Sequence, residues 1–374
     1  MIRFSRRDVM KAGAAALAAP AVLRAHDALA TSGTLNVYAW KGFFDQNTLL
    51  ADFTNATGIN IQLSTYTSNG EAEAKLRAVG GKGFDLIFPS VDTGPNYYKD
   101  DLLRPIDEAK LKVAQIIPSI YRSSLKLGAE YRGRRYLVPF DWGTEGLTWD
   151  STKFDAKSGE ISYGALWLPA NPKQTAIRPT SAFTGVALYL DATGELPSDR
   201  AQDMYKSEAD ARRVFDGCLK FLLAHKANIG ATWNNAAEAT AAFVSGGCTI
   251  GQTWDSTGIA LHRDTDRKWR YGMPKEGGLA WTDTLAIPSG AANIEQAYAF
   301  ANFMYQPDIG ARFANTTGYN SCAAGSQNYL SAEDRSAFEA AYPAGTLDKL
   351  FWWPMQTDVY LTLRSEYVGK LANS

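Results

Sequence analysis

The chain has 374 residues, 45% of them hydrophobic and 21% charged, with 32 glycines. That length and balance fit a globular protein with room for two cores, so two lobes are expected. A formal net charge of −1 gives no electrostatic basis for holding nucleic acid or an anionic membrane surface.

The first thirty residues read as an export signal and not as part of the fold. Ser5-Arg6-Arg7-Asp8-Val9-Met10-Lys11 matches the twin-arginine pattern, a weakly apolar stretch runs from Ala12 to Leu23, and Ala28-Leu29-Ala30 fits an A-x-A cleavage site. The apolar stretch is too short and too alanine-rich for a lasting transmembrane helix. The expectation is a bacterial-type protein carried already folded by the Tat translocase to the periplasm. Removal of 1–30 takes away Arg3, Arg6, Arg7, Lys11 and Arg24 against Asp8 and Asp27, leaving a mildly acidic mature chain. Cys218, Cys248 and Cys322 form no C-x-x-C. They allow one disulfide and a free thiol, although folding before export removes the need for a bridge.

Thr34 to Trp40 alternates as a strand and runs into Lys41-Gly42-Phe43. Leu49 to Thr57 fits an amphipathic helix stopped by Gly58. Ile59–Tyr66 is a second strand, Glu71–Val79 a short helix, and Phe84–Ser90 a third strand. This order implies βαβ units in a parallel sheet covered on both faces. Ligands of such sheets sit beyond the carboxyl ends of the strands, here Trp40, Tyr66 and Ser90. Tyr136–Gly143 and Gly146–Asp150 read as extended segments leaving the first lobe. From Lys153 to about Tyr271 a second α/β set follows, with helices at Ala209–Ala224 and Ala236–Ser245 and a strand at Cys248–Trp254.

The segment Pro274–Pro288 anchors the rest. Lys275-Glu276-Gly277-Gly278 is turn chemistry, and Leu279–Ile287 then reads as a strand closed by Pro288. Trp281 and Asp283, two residues apart, project from one face of it. An indole beside a carboxylate suits a cation; a core tryptophan with Asp283 capping a nearby turn is the alternative. Helices at Ile294–Tyr305 and Asp308–Thr316 follow, the latter ended by Gly318, and the tail from Asp348 to Lys370 holds Trp352-Trp353-Pro354 and an amphipathic helix.

No constellation argues for catalysis. After signal removal only His225 and His262 remain, in surroundings that fit surface or capping roles, which speaks against a histidine metal site or a Ser-His-Asp triad. Gly80-Gly81-Lys82-Gly83 precedes a strand instead of opening a helix, so it is not a dinucleotide fingerprint. Aromatic residues near carboxylates at strand ends stand out instead: Trp40, Trp254 with Asp255, Trp281 with Asp283, and Tyr319. Trp149, Trp167, Trp233 and Trp269 lack such a neighbour and read as packing.

Pro274-Lys275-Glu276-Gly277-Gly278 through Trp281-Thr282-Asp283-Thr284-Leu285-Ala286-Ile287-Pro288 resembles the P-K-E-G-G…W-x-D-S-L-A-I-P signature of periplasmic spermidine/putrescine-binding proteins, solute-binding subunits of ABC transporters. Tyr38-Ala39-Trp40, Ser64–Asn69, Phe88-Pro89-Ser90, Gly251–Trp254, Gly318-Tyr319 and Gln356–Val359 are similar to that family's other motifs, in order, over essentially the whole mature chain. The resemblance implies an α/β, two-lobed periplasmic binding protein fold of type II, with ligand in the cleft between lobes. It also implies that Trp40, Trp254, Trp281 and Tyr319 box the stem of an amine, Asp283 takes an ammonium, and Ser90 and Gln356 hydrogen-bond. The chain departs from the family in four places. Ser181 and Thr184 stand near the family's second carboxylate pair, Asp92 replaces an aromatic, Lys41 replaces a hydroxyl, and Arg178 lies close by. The candidate ligand-binding set is therefore Trp40, Lys41, Phe43, Ser90, Asp92, Trp254, Asp255, Trp281, Asp283, Tyr319 and Gln356.

The expected organisation is residues 1–30 signal, 31–140 first lobe, 141–280 second lobe, 281–326 return to the first, and 327–374 return to the second. The expected function is delivery of a polyamine or related amine to an inner-membrane ABC permease, by a monomer without cofactor, metal or catalysis. The alternatives are the same fold binding a zwitterion such as an ω-amino acid or aminophosphonate, a ferric-iron or carboxylate binder, and a periplasmic enzyme.

Overall fold

The computed structural model describes residues 33–45, 48–265 and 268–374; the export signal expected over 1–30 lies outside the described residues. Strand β1 (Gly33–Trp40), the helix Leu49–Thr57, β2 (Ile59–Tyr66), the helix Asn69–Ala78 and β3 (Leu86–Ile87) form the expected βαβ start. β1 pairs in parallel with β2 along its whole length, Gly33 to Trp40 against Ile59 to Tyr66, and with β3 at Val37 and Tyr38. Gly58 takes the left-handed conformation (φ 72°) that ends the first helix and returns its N–H to Thr54. The second helix starts two residues earlier than predicted: Ser68 accepts from the Glu71 N–H, and the Glu71 carboxylate reaches back to Thr67, a reciprocal cap.

A small hairpin, β4 (Glu130–Tyr131) and β5 (Arg134–Arg135), precedes β6 (Leu137–Asp150). β6 is one continuous strand of 14 residues, all buried, where the sequence suggests two pieces. The remaining strands are β7 (Thr175–Ile177), β8 (Ile229–Thr232), β9 (Ile250–Trp254), β10 (Trp269–Gly272), β11 (Leu279–Ala286), β12 (Asn320–Ser321) and β13 (Phe351–Trp352). The large sheet runs β2-β1-β3-β11-β6-β9-β7-β8, with β10 and β12 added to β6 and β13 to β11. β6 and β11 thus join what would otherwise be two parallel sheets.

Two cores form on either side of this pair. The first gathers Leu35, Val37, Phe53, Phe88, Phe140, Trp142, Phe300 and Phe313; the second gathers Leu147, Trp149, Phe183, Val214, Phe215, Ile250, Tyr360 and Tyr367. β6 contributes Phe140 and Trp142 to one and Leu147 and Trp149 to the other, so it changes lobe between them. In the C-terminal segment Ala341, Tyr342 and Leu350 pack on the first core, and Phe351, Tyr360, Leu363, Tyr367 and Leu371 on the second. Trp149, Trp167, Trp233 and Trp269 are all buried, as packing residues should be.

Sequence reading missed the helix Pro179–Thr193 because it is buried nearly all round, from Ser181 to Leu188 without interruption, and so shows no amphipathic period. It also missed Asp255–Asp264, a helix that opens directly from β9. The predicted strand Phe84–Ser90 shrinks to Leu86–Ile87 because Pro89 has no N–H to donate. All three cysteines are buried and free. His225 caps the helix Glu208–Ala224, its Nδ1 2.8 Å from the Phe221 carbonyl. Among the described residues no helix is long and apolar enough to cross a membrane.

Candidate functional site

The site is built on the antiparallel pair of β6 and β11. Their register sets Asp283 opposite Asp141 and Trp281 opposite Gly143, and then shifts, because Thr284 faces Pro139 and Phe140 is left over. Such a bulge is where a strand can tolerate proline, and it falls beside the two aspartates. The spare Phe140 carbonyl accepts the Cys322 N–H, while Thr284 donates both its N–H and its hydroxyl to the Pro89 carbonyl. That contact draws β3 and Ser90 against β11, and Ser90 bridges to Asp283.

Ser90 donates its hydroxyl to Asp283 Oδ1 at 2.5 Å, and receives Asn69 Nδ2 at 2.9 Å. Asn69 Oδ1 also accepts the Ser90 N–H, so the Asn69 amide orients the serine and the serine orients the carboxylate. Asp141 is fully buried, and neither of its oxygens has a hydrogen-bond partner. Cross-strand partners have Cβ atoms about 5 Å apart, so two carboxyls share one small volume. No ion pair reaches either among the described residues. Burial raises Asp283 to about 7, against the pull of the Ser90 hydrogen bond and with help from the Asp92 charge. Asp141 is pushed well above the carboxylate range by burial and by the charges of Asp283 and Asp255. A buried carboxylate pair of this kind is incomplete without a cation or a shared proton.

Aromatic rings surround it. Trp281 lies against Gly143: a Cβ there would come within 2.2 Å of the indole, so only glycine leaves room for the ring on β6. Tyr319, its ring 5.8 Å from Phe43, has its phenol raised by burial and then by the charges of Asp141, Asp283 and Asp255. Trp40 packs 4.8 Å from the Tyr66 ring, and its buried Nε1 has no partner.

Residues 48–343 match the family described as bacterial extracellular solute-binding protein. The chain belongs to that family. The spermidine/putrescine-binding periplasmic protein of Escherichia coli (strain K12) is 26% identical over 98% of this chain and 97% of its own length. The putrescine-binding periplasmic protein PotF of the same organism is 27% identical over 86% of this chain and 87% of its own. Among solved structures, the spermidine/putrescine ABC transporter substrate-binding protein PotD from Streptococcus pneumoniae superposes with a TM-score of 0.75 at 23% identity, covering 91% of this chain and 99% of that one. This last likeness carries the two-lobed α/β fold.

The expected residues divide. Ser90, Asp283, Trp281 and Tyr319 come together around Asp141. Asp92 and Gln356 also meet, but each other: Gln356 Nε2 donates to Asp92 Oδ2 at 2.5 Å, and Arg364 donates to Gln356 Oε1. Asp255 is buried and accepts from the Thr144 and Ser256 N–H groups, Asn320 Nδ2 and the Tyr342 hydroxyl, which makes it the link between β6, its own helix and β12. Phe43, only 3% exposed, packs among Phe44, Phe88, Phe140, Phe313 and Tyr319. Lys41 is exposed. Trp254 stands opposite Glu145 on the other edge of β6, its ring 5.1 Å from Trp233 and 5.0 Å under the Arg178 guanidinium.

Two residues of this candidate site were not singled out for it. Asp141 stands above only within the extended segment Tyr136–Gly143; its signal is the strand alternation of Asp141, Gly143 and Glu145, which places all three on the Trp281 face. Glu145 is buried, bonded to the Ser181 hydroxyl and paired with Arg178 at 3.2 Å. It puts a carboxylate beside the neutral Ser181, by the place of the family's missing pair.

Proposed function

We propose that this chain is the periplasmic binding subunit of an ABC importer and that it captures a small amine, of the polyamine class its relatives are named for or a close analogue. The observation that carries this is the buried, cation-free pair Asp141 and Asp283, oriented by Ser90 and walled by Trp281 and Tyr319. An ammonium there gains charge-assisted hydrogen bonds and an aromatic surface together. It works without catalysis, as a monomer, docks on an inner-membrane permease, and reaches the periplasm through the Tat translocase on the signal in residues 1–30. A thermal-shift series with putrescine, spermidine and 4-aminobutyrate tests the reading, because a ligand that binds only the folded state raises the melting temperature by mass action. A rise of several degrees at millimolar amine is expected; no rise with any amine, alongside a rise with a dicarboxylate or ferric iron, overturns it.

The lobes, 31–140 with 281–326 and 141–280 with the end of the 327–374 segment, close on the ligand by bending the crossing strands near Phe140–Gly143 and Ala280–Thr284. Small-angle scattering at saturating amine is expected to give a smaller radius of gyration than the free protein. An equal radius in both states counts against closure.

A further inference from the structure

We propose that Arg178 makes the cleft bipolar, so that the preferred ligand carries an ammonium at one end and a carboxylate or phosphonate at the other. This rests on the amine reading and narrows it. Along β6 the side chains of Asp141, Gly143 and Glu145 share a face, with the Cα atoms of the two acids roughly 13 Å apart at strand rise. Asp283 faces Asp141 at one end, the Trp281 ring covers Gly143 in the middle, and Trp254 faces Glu145 at the other end. Once side-chain lengths are subtracted, the span suits a linker of a few carbons between two charged groups.

The ends differ in sign. At the first, both Asp141 oxygens lack a partner. At the second, Glu145 is no open acceptor, since it already holds the Ser181 hydroxyl and Arg178 Nη1. The guanidinium lies 5.0 Å over Trp254 and 5.8 Å from Trp233, so the indole face that would take a second ammonium is covered by a cation of the protein's own. Among the described residues Arg178 makes one hydrogen bond through its five N–H donors, to Glu145, and its side chain keeps 30% of its exposure. A planar guanidinium laid on an indole, held from behind by a buried carboxylate and with donors open, is a receptor for an oxyanion. A second ligand ammonium would meet like charge there, with Ser181 and Thr184 offering only hydroxyls.

Calorimetry at pH 8 on the mature chain, with 4-aminobutyrate, 5-aminopentanoate, 2-aminoethylphosphonate, putrescine and spermidine, tests this. At least one zwitterion is expected to bind tenfold or more tightly than either polyamine. Arg178→Gln is expected to weaken that zwitterion at least tenfold while leaving putrescine unchanged or tighter. Should Arg178→Gln fail to fold with Glu145 unpaired, the double variant Arg178→Gln/Glu145→Gln removes the pair together, and the wild-type ranking needs no variant at all. Putrescine or spermidine binding more tightly than every zwitterion overturns the inference and leaves the amine reading standing, as does a zwitterion whose affinity ignores Arg178→Gln. No binding of any of the five overturns both.

Discussion

Asp283→Asn is expected to weaken amine binding ten- to a hundredfold and, in the ligand-free protein at pH 8, to raise the melting temperature. The first effect follows from the loss of a hydrogen bond to a charged group, about 1.5–3 kcal/mol. The second follows from what the carboxylate does alone. It is 7% exposed and stands opposite Asp141, so at pH 8 the free protein holds a desolvated carboxyl pair whose negative charge has no cation beside it and that a ligand is meant to neutralise. Asparagine keeps the shape, still accepts the Ser90 hydroxyl through its carbonyl oxygen, and removes one charge. Gain in stability with loss of affinity is the mark of a binding group; loss of stability with affinity intact would make Asp283 a structural cap. Asp255→Asn supplies the contrast. Asp255 accepts four hydrogen bonds from Thr144, Ser256, Asn320 and Tyr342, so its replacement is expected to lower the melting temperature. Calorimetry and thermal melts on the two variants separate these patterns.

How much of this could be read beforehand depended on the range of the interaction. The βαβ start was legible because alternation, the Gly58 stop and the return to alternation are all local, and Trp281 and Asp283 declare a shared face by spacing alone. The pairing of Asp283 with Asp141 was not, because it depends on a register that slips by one at Phe140. Nothing near Asp92 or Gln356 announces that two expected ligand groups, 264 residues apart, satisfy each other. Lys41 and Arg178 looked alike as cations near the site; the fold turns Lys41 outward and seats Arg178 on Trp254, a choice made by the buried Glu145. The helix Pro179–Thr193 escaped because burial on all sides erases the period that reveals a helix.

Amine affinity is expected to rise with pH, by roughly tenfold between pH 6 and pH 8, while the stability of the ligand-free protein falls over the acid side of that range. Burial raises Asp283 from its ordinary value to about 7, and Asp92 and Asp255 to about 6. A carboxyl whose folded-state pKa lies above its unfolded one binds more protons folded than unfolded. Stability therefore decreases as pH climbs from about 4 toward about 7, where the folded group finally ionises, and levels off above. The amine reverses the sign, because it binds the ionised form: below the folded pKa each pH unit costs about tenfold in affinity as the ligand competes with a proton. The same competition predicts proton release on binding near pH 7, visible as a buffer-dependent heat in calorimetry. Asp283→Asn should flatten both the affinity profile and the release. An amine affinity that stays constant from pH 6 to pH 8 in the wild-type protein would remove the buried carboxylate pair from the recognition step.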